Sequence, residues 1–193
     1  MTSCRLARRR LLVGLGALSV LAGCNQSVPP RLYTLAAQPG PSVGATRIRL
    51  VVKPVEVAKY LDRSEIVRYA DPYELRFADL ERWGESLRDM ATRILIEDLS
   101  LRMPESQIVS ESSPVNLTAD ATIEVDISRF DPDPSGQVCL DARWALQRSD
   151  RTAAVHLERI RVRPNSASTS DLAAAMSQAL GQLSDQIAQG VTA

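Results

Sequence analysis

Apolar residues recur along this chain at two periods, and the switches between them mark its elements. Over residues 47–52, Ile48, Leu50 and Val52 alternate with Arg47, Arg49 and Val51, which predicts a strand. Pro54 ends that strand or places it at a sheet edge. Residues 65–69 and 73–78 flank Asp71-Pro72, a good turn initiator, and read as a hairpin. From about residue 80 to 103 the spacing becomes helical. Leu87, Met90, Ala91, Ile94 and Leu95 line one side, Glu85, Arg88, Asp89, Arg93 and Glu97 the other, and Pro104 stops the helix. Residues 110–118 follow as a polar loop.

Alternation then returns in three successive runs. Ile123, Val125 and Ile127 alternate with Glu124, Asp126 and Ser128, and Val138, Leu140, Ala142, Trp144 and Leu146 alternate with Cys139, Asp141, Arg143 and Ala145. Turn sequences at 131–136 and 149–151 join the runs, predicting an antiparallel meander with one buried face. The third run, residues 153–163, changes face near Glu158-Arg159, which predicts a bulge. Ser168-x-x-Asp171 signals a second helix start, and Leu172, Met176, Ala179, Leu180, Leu183 and Ile187 form its apolar stripe. With no other amphipathic layer available, the pattern predicts an α+β fold: a two-layer α/β sandwich whose largely antiparallel sheet is covered by both helices.

The N-terminal residues carry a different pattern. Arg5, Arg8, Arg9 and Arg10 precede an unbroken small and apolar run, residues 11–22, and Leu21-Ala22-Gly23 leads into Cys24. A basic n-region, a short h-region and small residues at a cleavage point read as an export leader. The run is shorter than the roughly 20 residues that a membrane-spanning helix requires. Leu-Ala-Gly-Cys resembles the lipobox of bacterial lipoproteins, in which the cysteine thiol receives a diacylglycerol and becomes the first mature residue. An ordinary leader with a coincidental cysteine is the alternative. The expected organisation is a signal peptide over residues 1–23, a lipidated N-terminus and Pro/Gly/Ser-rich spacer over 24–46, and one domain over 47–193. Arg-Leu-Tyr-Thr-Leu at 31–35 interrupts the spacer and is expected to dock on the domain as a short strand. By resemblance to proteobacterial lipoproteins, Asn25 after the cysteine favours the outer membrane.

Charge and cysteine content then narrow the chemistry. The chain holds 23 basic and 23 acidic residues, and removing a leader with four arginines leaves 19 against 23. A mildly acidic mature chain argues against nucleic acid as a partner. Cys4 falls in the leader, Cys24 is assigned to lipid, and Cys139 has no partner, so no disulfide framework forms. One histidine, His156, and one remaining thiol are a poor basis for a zinc site, and no glycine loop for phosphates is present. His156 faces away from Val155 and Leu157 in its strand, toward solvent or an interface. Cys139 lies on the polar side of its strand, and carboxylates such as Glu97-Asp98 read as solvated helix positions. No catalytic residue, metal or cofactor is assigned. Arginines at 47 and 49 and at 159, 161 and 163 form stripes that either meet lipid head groups or an acidic partner, or pair across strands with acids such as Glu124 and Asp126. Trp144 shares a face with Leu140 and Leu146, while Trp83, placed at the opening of the first helix, either packs or anchors a partner.

Residues 52–67, Val-Lys-Pro-Val-Glu-Val-Ala-Lys-Tyr-Leu-Asp-Arg-Ser-Glu-Ile-Val, resemble the signature of the ABC-type transport auxiliary lipoproteins, the family that includes paraquat-inducible protein C. The likeness extends to Tyr33-Thr34-Leu35, to residues 80–87, and to Arg129-Phe130-Asp131 followed by Val138, Leu140 and Trp144. The family commonly has proline where this chain has Ala58, Ser64 and Ser86. The resemblance implies an outer-membrane lipoprotein on the periplasmic face, working with an inner-membrane ABC transporter or permease and a periplasmic protein bearing mammalian-cell-entry (MCE) domains. Such systems move lipids or other apolar molecules across the envelope. A homo-oligomeric ring is implied as well.

The resulting expectation is a non-catalytic adaptor, with Cys24 as the lipidation site and Tyr60, Leu61, Asp62, Arg63 and Trp83 as candidate partner-binding residues. Two alternatives stand beside it. One is a lipid-binding module, which requires a cavity between helix and sheet; the other is an assembly chaperone or pilotin-like lipoprotein of the outer membrane. An envelope hydrolase finds no candidate nucleophile.

Overall fold

The computed structural model describes residues 28–44, 46–114, 118–148 and 154–192. Cys24 and the expected leader lie outside them. In chain order the elements are β1 (Arg31–Tyr33), β2 (Arg49–Val52), β3 (Glu56–Val57), β4 (Glu65–Asp71), β5 (Glu74–Trp83), α1 (Leu87–Arg102), β6 (Gln107–Ser110), β7 (Ala121–Pro132), β8 (Val138–Arg148), β9 (Val155–Val162) and α2 (Thr169–Thr192). The larger sheet runs β6-β2-β7-β8-β9, with β3 also pairing β7, and a smaller sheet runs β1-β5-β4. Helix α1 packs on α2, β6 and β3, and α2 on β7, β8 and β9, so the helices form a layer over the larger sheet.

The α+β class and the two helices agree with the sequence pattern, and so does the meander β7-β8-β9. The sheet itself is mixed. β2 pairs parallel with both β6 and β7, and β3 parallel with β7. Four residues with a single repeat of alternation left β6 invisible as a strand, and its parallel pairing depends on α1 as the crossover.

Local boundaries follow from side-chain hydrogen bonds. At the β4–β5 turn, Asp71 Oδ1 accepts from the backbone N–H of Tyr73 (2.7 Å) and Glu74 (3.0 Å). Helix α1 begins at Leu87 because Ser86 caps it, its Oγ accepting from the Asp89 N–H at 3.1 Å. Residues 80–83 therefore belong to β5, not to the helix expected from about residue 80, and Trp83 closes a strand instead of opening a helix. Ser168 caps α2 in the same way, accepting from the Asp171 N–H at 3.1 Å. In the β7–β8 turn Gly136 has φ +82°, a conformation that costs glycine little and other residues more.

The expected bulge is displaced. Register between β8 and β9 is unbroken from Val138↔Val162 to Ala145↔Val155, so no bulge occurs at Glu158-Arg159. The irregularity lies in β7, between Ile127 and Arg129, where Ser128 is the extra residue. It lets Ile123, Val125 and Ile127 face the core on one side of it and Phe130 on the other. In β9 the change of pattern has another origin: the inward positions His156 and Glu158 meet Trp144 instead of the aliphatic core.

Upstream of β2 the chain is packed against the helices. Leu35 is buried, and its N–H points at Met90 Sδ at 3.0 Å. The Ala36 N–H donates to Ser177 Oγ (3.1 Å), the Gln38 N–H to Asp98 Oδ1 (2.7 Å) and the Val43 N–H to the Arg102 carbonyl (3.0 Å). These partners come from both α1 and α2, so residues 35–43 form a strap across both helices. Much of the stretch expected as spacer is thus part of the folded body, and only residues 25–30 separate Cys24 from β1.

Candidate functional site

The signature segment occupies the junction of the two sheets. It leaves β2, pairs with β7 through β3, turns at residues 58–63 and enters the smaller sheet as β4. In the turn the Leu61 N–H bonds the Ala58 carbonyl at 2.8 Å and the Arg63 N–H bonds the Leu61 carbonyl at 2.9 Å. Leu61 is 2 % exposed and Trp83 is 5 % exposed, so both belong to the core. Tyr60 is half-buried and donates its hydroxyl to Asp131 Oδ2 at 2.5 Å. Arg63 lies over the Phe77 ring, 3.7 Å from its centroid, and Asp62 is exposed. Of the five candidate contact residues, Asp62 and Arg63 are the ones with substantial free surface.

Beneath Tyr60 sits a charged cluster. Asp131 is 1 % exposed and also accepts from Arg129 Nε at 3.0 Å, while Arg129 in turn lies 5.2 Å from the Tyr69 ring centroid. Burial raises the Asp131 carboxyl above its ordinary value, opposed by the bonds from Tyr60 and Arg129. Burial, and then the bond to Asp131, also raises the Tyr60 phenol. Cys139, expected on a polar face, is buried nearby, and burial raises its thiol, the opposite of what activates a nucleophile. This cluster joins β7, the signature turn and β4 through the Tyr60–Asp131 and Arg129–Asp131 bonds and the Arg129–Tyr69 contact.

A second polar network, invisible in the strand and helix pattern, holds the strap. Arg102 is 1 % exposed and donates to Asp185 Oδ1 (2.6 Å) and to the carbonyls of Gln38, Asp98 and Gly181 (each 2.9 Å). Asp98, read from sequence as solvated, is fully buried and accepts from the Gln38 N–H and from Ser184 Oγ (3.2 Å). One signal was available. Asp98 and Arg102 stand four apart, in step with Ile94 and Leu95 on the buried side of α1.

Several of the remaining candidates are partnered locally. His156 stacks on Trp144 with ring centroids 4.1 Å apart, and Trp144 packs inward as expected. Of the basic stripes, Arg161 pairs across strands with Asp141 (2.6 Å), Arg47 and Arg49 pair with Glu105 (2.9 Å) and Asp120 (2.5 Å) in the connections leading into β6 and β7, and Arg159 and Arg163 are exposed. Glu124 and Asp126 are taken by Lys53 and Arg143. Among the described residues no group of three or more His, Cys, Asp or Glu is placed to hold a metal ion, and no helix is long and apolar enough to cross a membrane. A polar cleft of about 370 Å³ opens between the strap and α2, lined by Gln38, Arg102, Arg163, Asp171 and Asp185 among others. The helix–sheet interface itself is filled by side chains such as Leu50, Ile94, Leu140 and Leu180, each at 1 % exposure or less.

A mixed sheet under two helices, laced by internal ion pairs, defines a small α+β domain. The model of the ABC-type transport auxiliary lipoprotein component family matches residues 33–188, and the chain belongs to that family, as its signature segment led us to expect. In structure it is similar to an uncharacterized protein, with TM-score 0.73, 19 % identity and coverage of 85 % of this chain and 99 % of that one. It is also similar to a protein from Xanthomonas campestris, with TM-score 0.68, 20 % identity and coverage of 82 % and 92 %. At these identities the likeness establishes the shared fold. No curated protein matches the chain in sequence.

Proposed function

We propose that this protein is a non-catalytic outer-membrane lipoprotein, lipidated at Cys24, that serves as an auxiliary component of an MCE-type ABC transport system moving lipids or other apolar molecules. The observation that carries the reading is the family match across residues 33–188, taken with the Leu-Ala-Gly-Cys lipobox upstream of it. A non-catalytic role is supported by the commitment of Tyr60, Asp131, Cys139 and His156 to burial or internal contacts. In this reading the Asp62-Arg63 corner of the signature turn offers the partner its polar contact, and copies of the chain assemble into a ring beneath the membrane.

Cross-linking in the native envelope followed by mass spectrometry tests the assignment. Recovery of an ABC permease or ATPase together with an MCE-domain protein is the expected result. Recovery of outer-membrane assembly factors alone would favour the chaperone or pilotin alternative, and copurified lipid in native mass spectra would favour the lipid-binding module. The packed helix–sheet interface speaks against the last.

A further inference from the structure

Five of the eight large apolar side chains exposed among the described residues belong to the smaller sheet and the segment entering it: Val28, Leu32, Tyr73, Phe77 and Leu80. Tyr73, at the tip of the β4–β5 hairpin, is 98 % exposed, Leu32 is 67 % and Leu80 is 48 % exposed. Leu32 and Leu80 lie on neighbouring strands, since β1 pairs parallel with the end of β5 in the register Arg31↔Glu81, Leu32↔Arg82. Val28 and Pro29 continue along β5, bordering Ala78, Asp79 and Leu80. Followed toward its N-terminus, the chain therefore runs along β5 in the direction of the hairpin tip.

Cys24 is four residues before Val28. Four residues span at most about 14 Å when fully extended. A lipid on that thiol cannot hold the domain at a distance by this route, because the chain is docked from β1 onward. The bilayer surface is brought to the same side of the molecule as the apolar patch. Charge around the patch is balanced: Arg31, Arg76 and Arg82 stand with Glu74, Asp79 and Glu81. Attraction would then come from apolar burial and from Tyr73, an amphipathic ring suited to the interface, and not from anionic head groups.

We propose that the β4–β5 hairpin tip and the Leu32–Leu80 face form a second membrane contact, seated on the bilayer that anchors Cys24. The proposal rests on the lipidation at Cys24 and adds to it a fixed orientation: the smaller sheet toward lipid, the far end of α1 away from it. The occupant is the acyl and glycerol region of the bilayer, not a second copy of the chain.

The test uses the full chain, processed in a bacterial host and reconstituted in vesicles. Single thiols are introduced by Leu80→Cys, Tyr73→Cys and, as a control at the other end of α1, Leu101→Cys, each labelled with an environment-sensitive fluorophore. Cys139 is buried and does not compete for label. Lipids brominated near the glycerol end are expected to quench the probes at 80 and 73 and to leave the probe at 101 unchanged, equally in zwitterionic and anionic vesicles. Leu32→Asp combined with Leu80→Asp is expected to abolish quenching at 73, and circular dichroism of that variant checks that the exposed substitutions leave the fold intact. If the chain carries palmitate label and the probes at 80 and 73 behave like the one at 101, the membrane contact is overturned and the anchor stands. A blue shift at 80 without quenching by lipid means that protein covers the face, which also overturns it. If palmitate is absent, the anchor and the contact fall together.

Discussion

Replacing Arg102 by alanine should be among the most damaging single changes in the chain. The guanidinium is 1 % exposed and makes four hydrogen bonds, two of them to the strap and the α2 backbone, through the Gln38 and Gly181 carbonyls. Its removal leaves the Asp98 carboxylate, 0 % exposed, with only the Gln38 N–H and Ser184 Oγ as compensation. Breaking a buried charge pair from one side costs about 3–5 kcal/mol. Against a total stability of about 5–15 kcal/mol for a domain, that is a large share. With a urea m-value of about 2 kcal/mol per molar, the unfolding midpoint should fall by roughly 2 M. Limited proteolysis should open new cleavage within residues 36–43, because the strap loses its ties before the sheet does. The comparison is Arg47→Ala, which breaks a pair whose arginine side chain is 80 % exposed and should cost about 0–1 kcal/mol. If the two variants unfold at the same urea concentration and the strap stays protected, the buried network does not hold the N-terminal segment in place and the reasoning fails.

Tyr60→Phe removes one of the two side-chain donors to buried Asp131 and should cost about 1–3 kcal/mol by chemical denaturation, with the secondary structure unchanged. At Gly190, a Cβ would come within 2.4 Å of Trp144 Cη2, so Gly190→Ala should displace the indole, alter its fluorescence and destabilise the domain by about 1–3 kcal/mol. A variant with unshifted emission would show that α2 yields instead. The Asp120 carboxyl is held at about 2, below the ordinary aspartate value of 3.8, chiefly by hydrogen bonds from the Arg49 side chain and backbone. The folded state therefore binds that proton more weakly than the unfolded state, and the contribution to stability is present above pH 3.8 and lost as pH falls toward 2. Asp120→Asn should flatten this part of the acid limb in a pH series of urea midpoints, and an unchanged limb would contradict the assignment.

The elements most legible in the sequence were those with a long, regular period. β7, β8 and α2 repeat their pattern often enough to be read directly, and the turn chemistry at Asp71-Pro72 and at 131–136 placed the hairpins. What stayed hidden depends on partners distant in the chain. β6 is too short to show alternation, and it exists because β2 offers a parallel edge beside α1. The end of β5 carries Leu80 and Trp83 at helical spacing, but β1 pairs there and Ser86 caps the helix later. Asp98 and Arg102 look like a surface pair until the strap covers them. For the candidate contact residues, the family resemblance pointed to the turn at 58–63 and to Trp83. It did not distinguish Leu61 and Trp83, which fill the core, from Asp62 and Arg63, which reach the surface.

The position of β7 between β2 and β8 has a consequence for how the chain matures. β2 finds its strand partners only far along the chain, in β6 at residues 107–110 and in β7 at residues 121–123. A chain that emerges amino end first therefore displays Leu50 and Val52 long before their strand partner exists, and pairings of such high sequence separation form slowly. Any soluble escort that accompanies the nascent polypeptide has its work concentrated in that interval, and release becomes safe only when the meander has arrived.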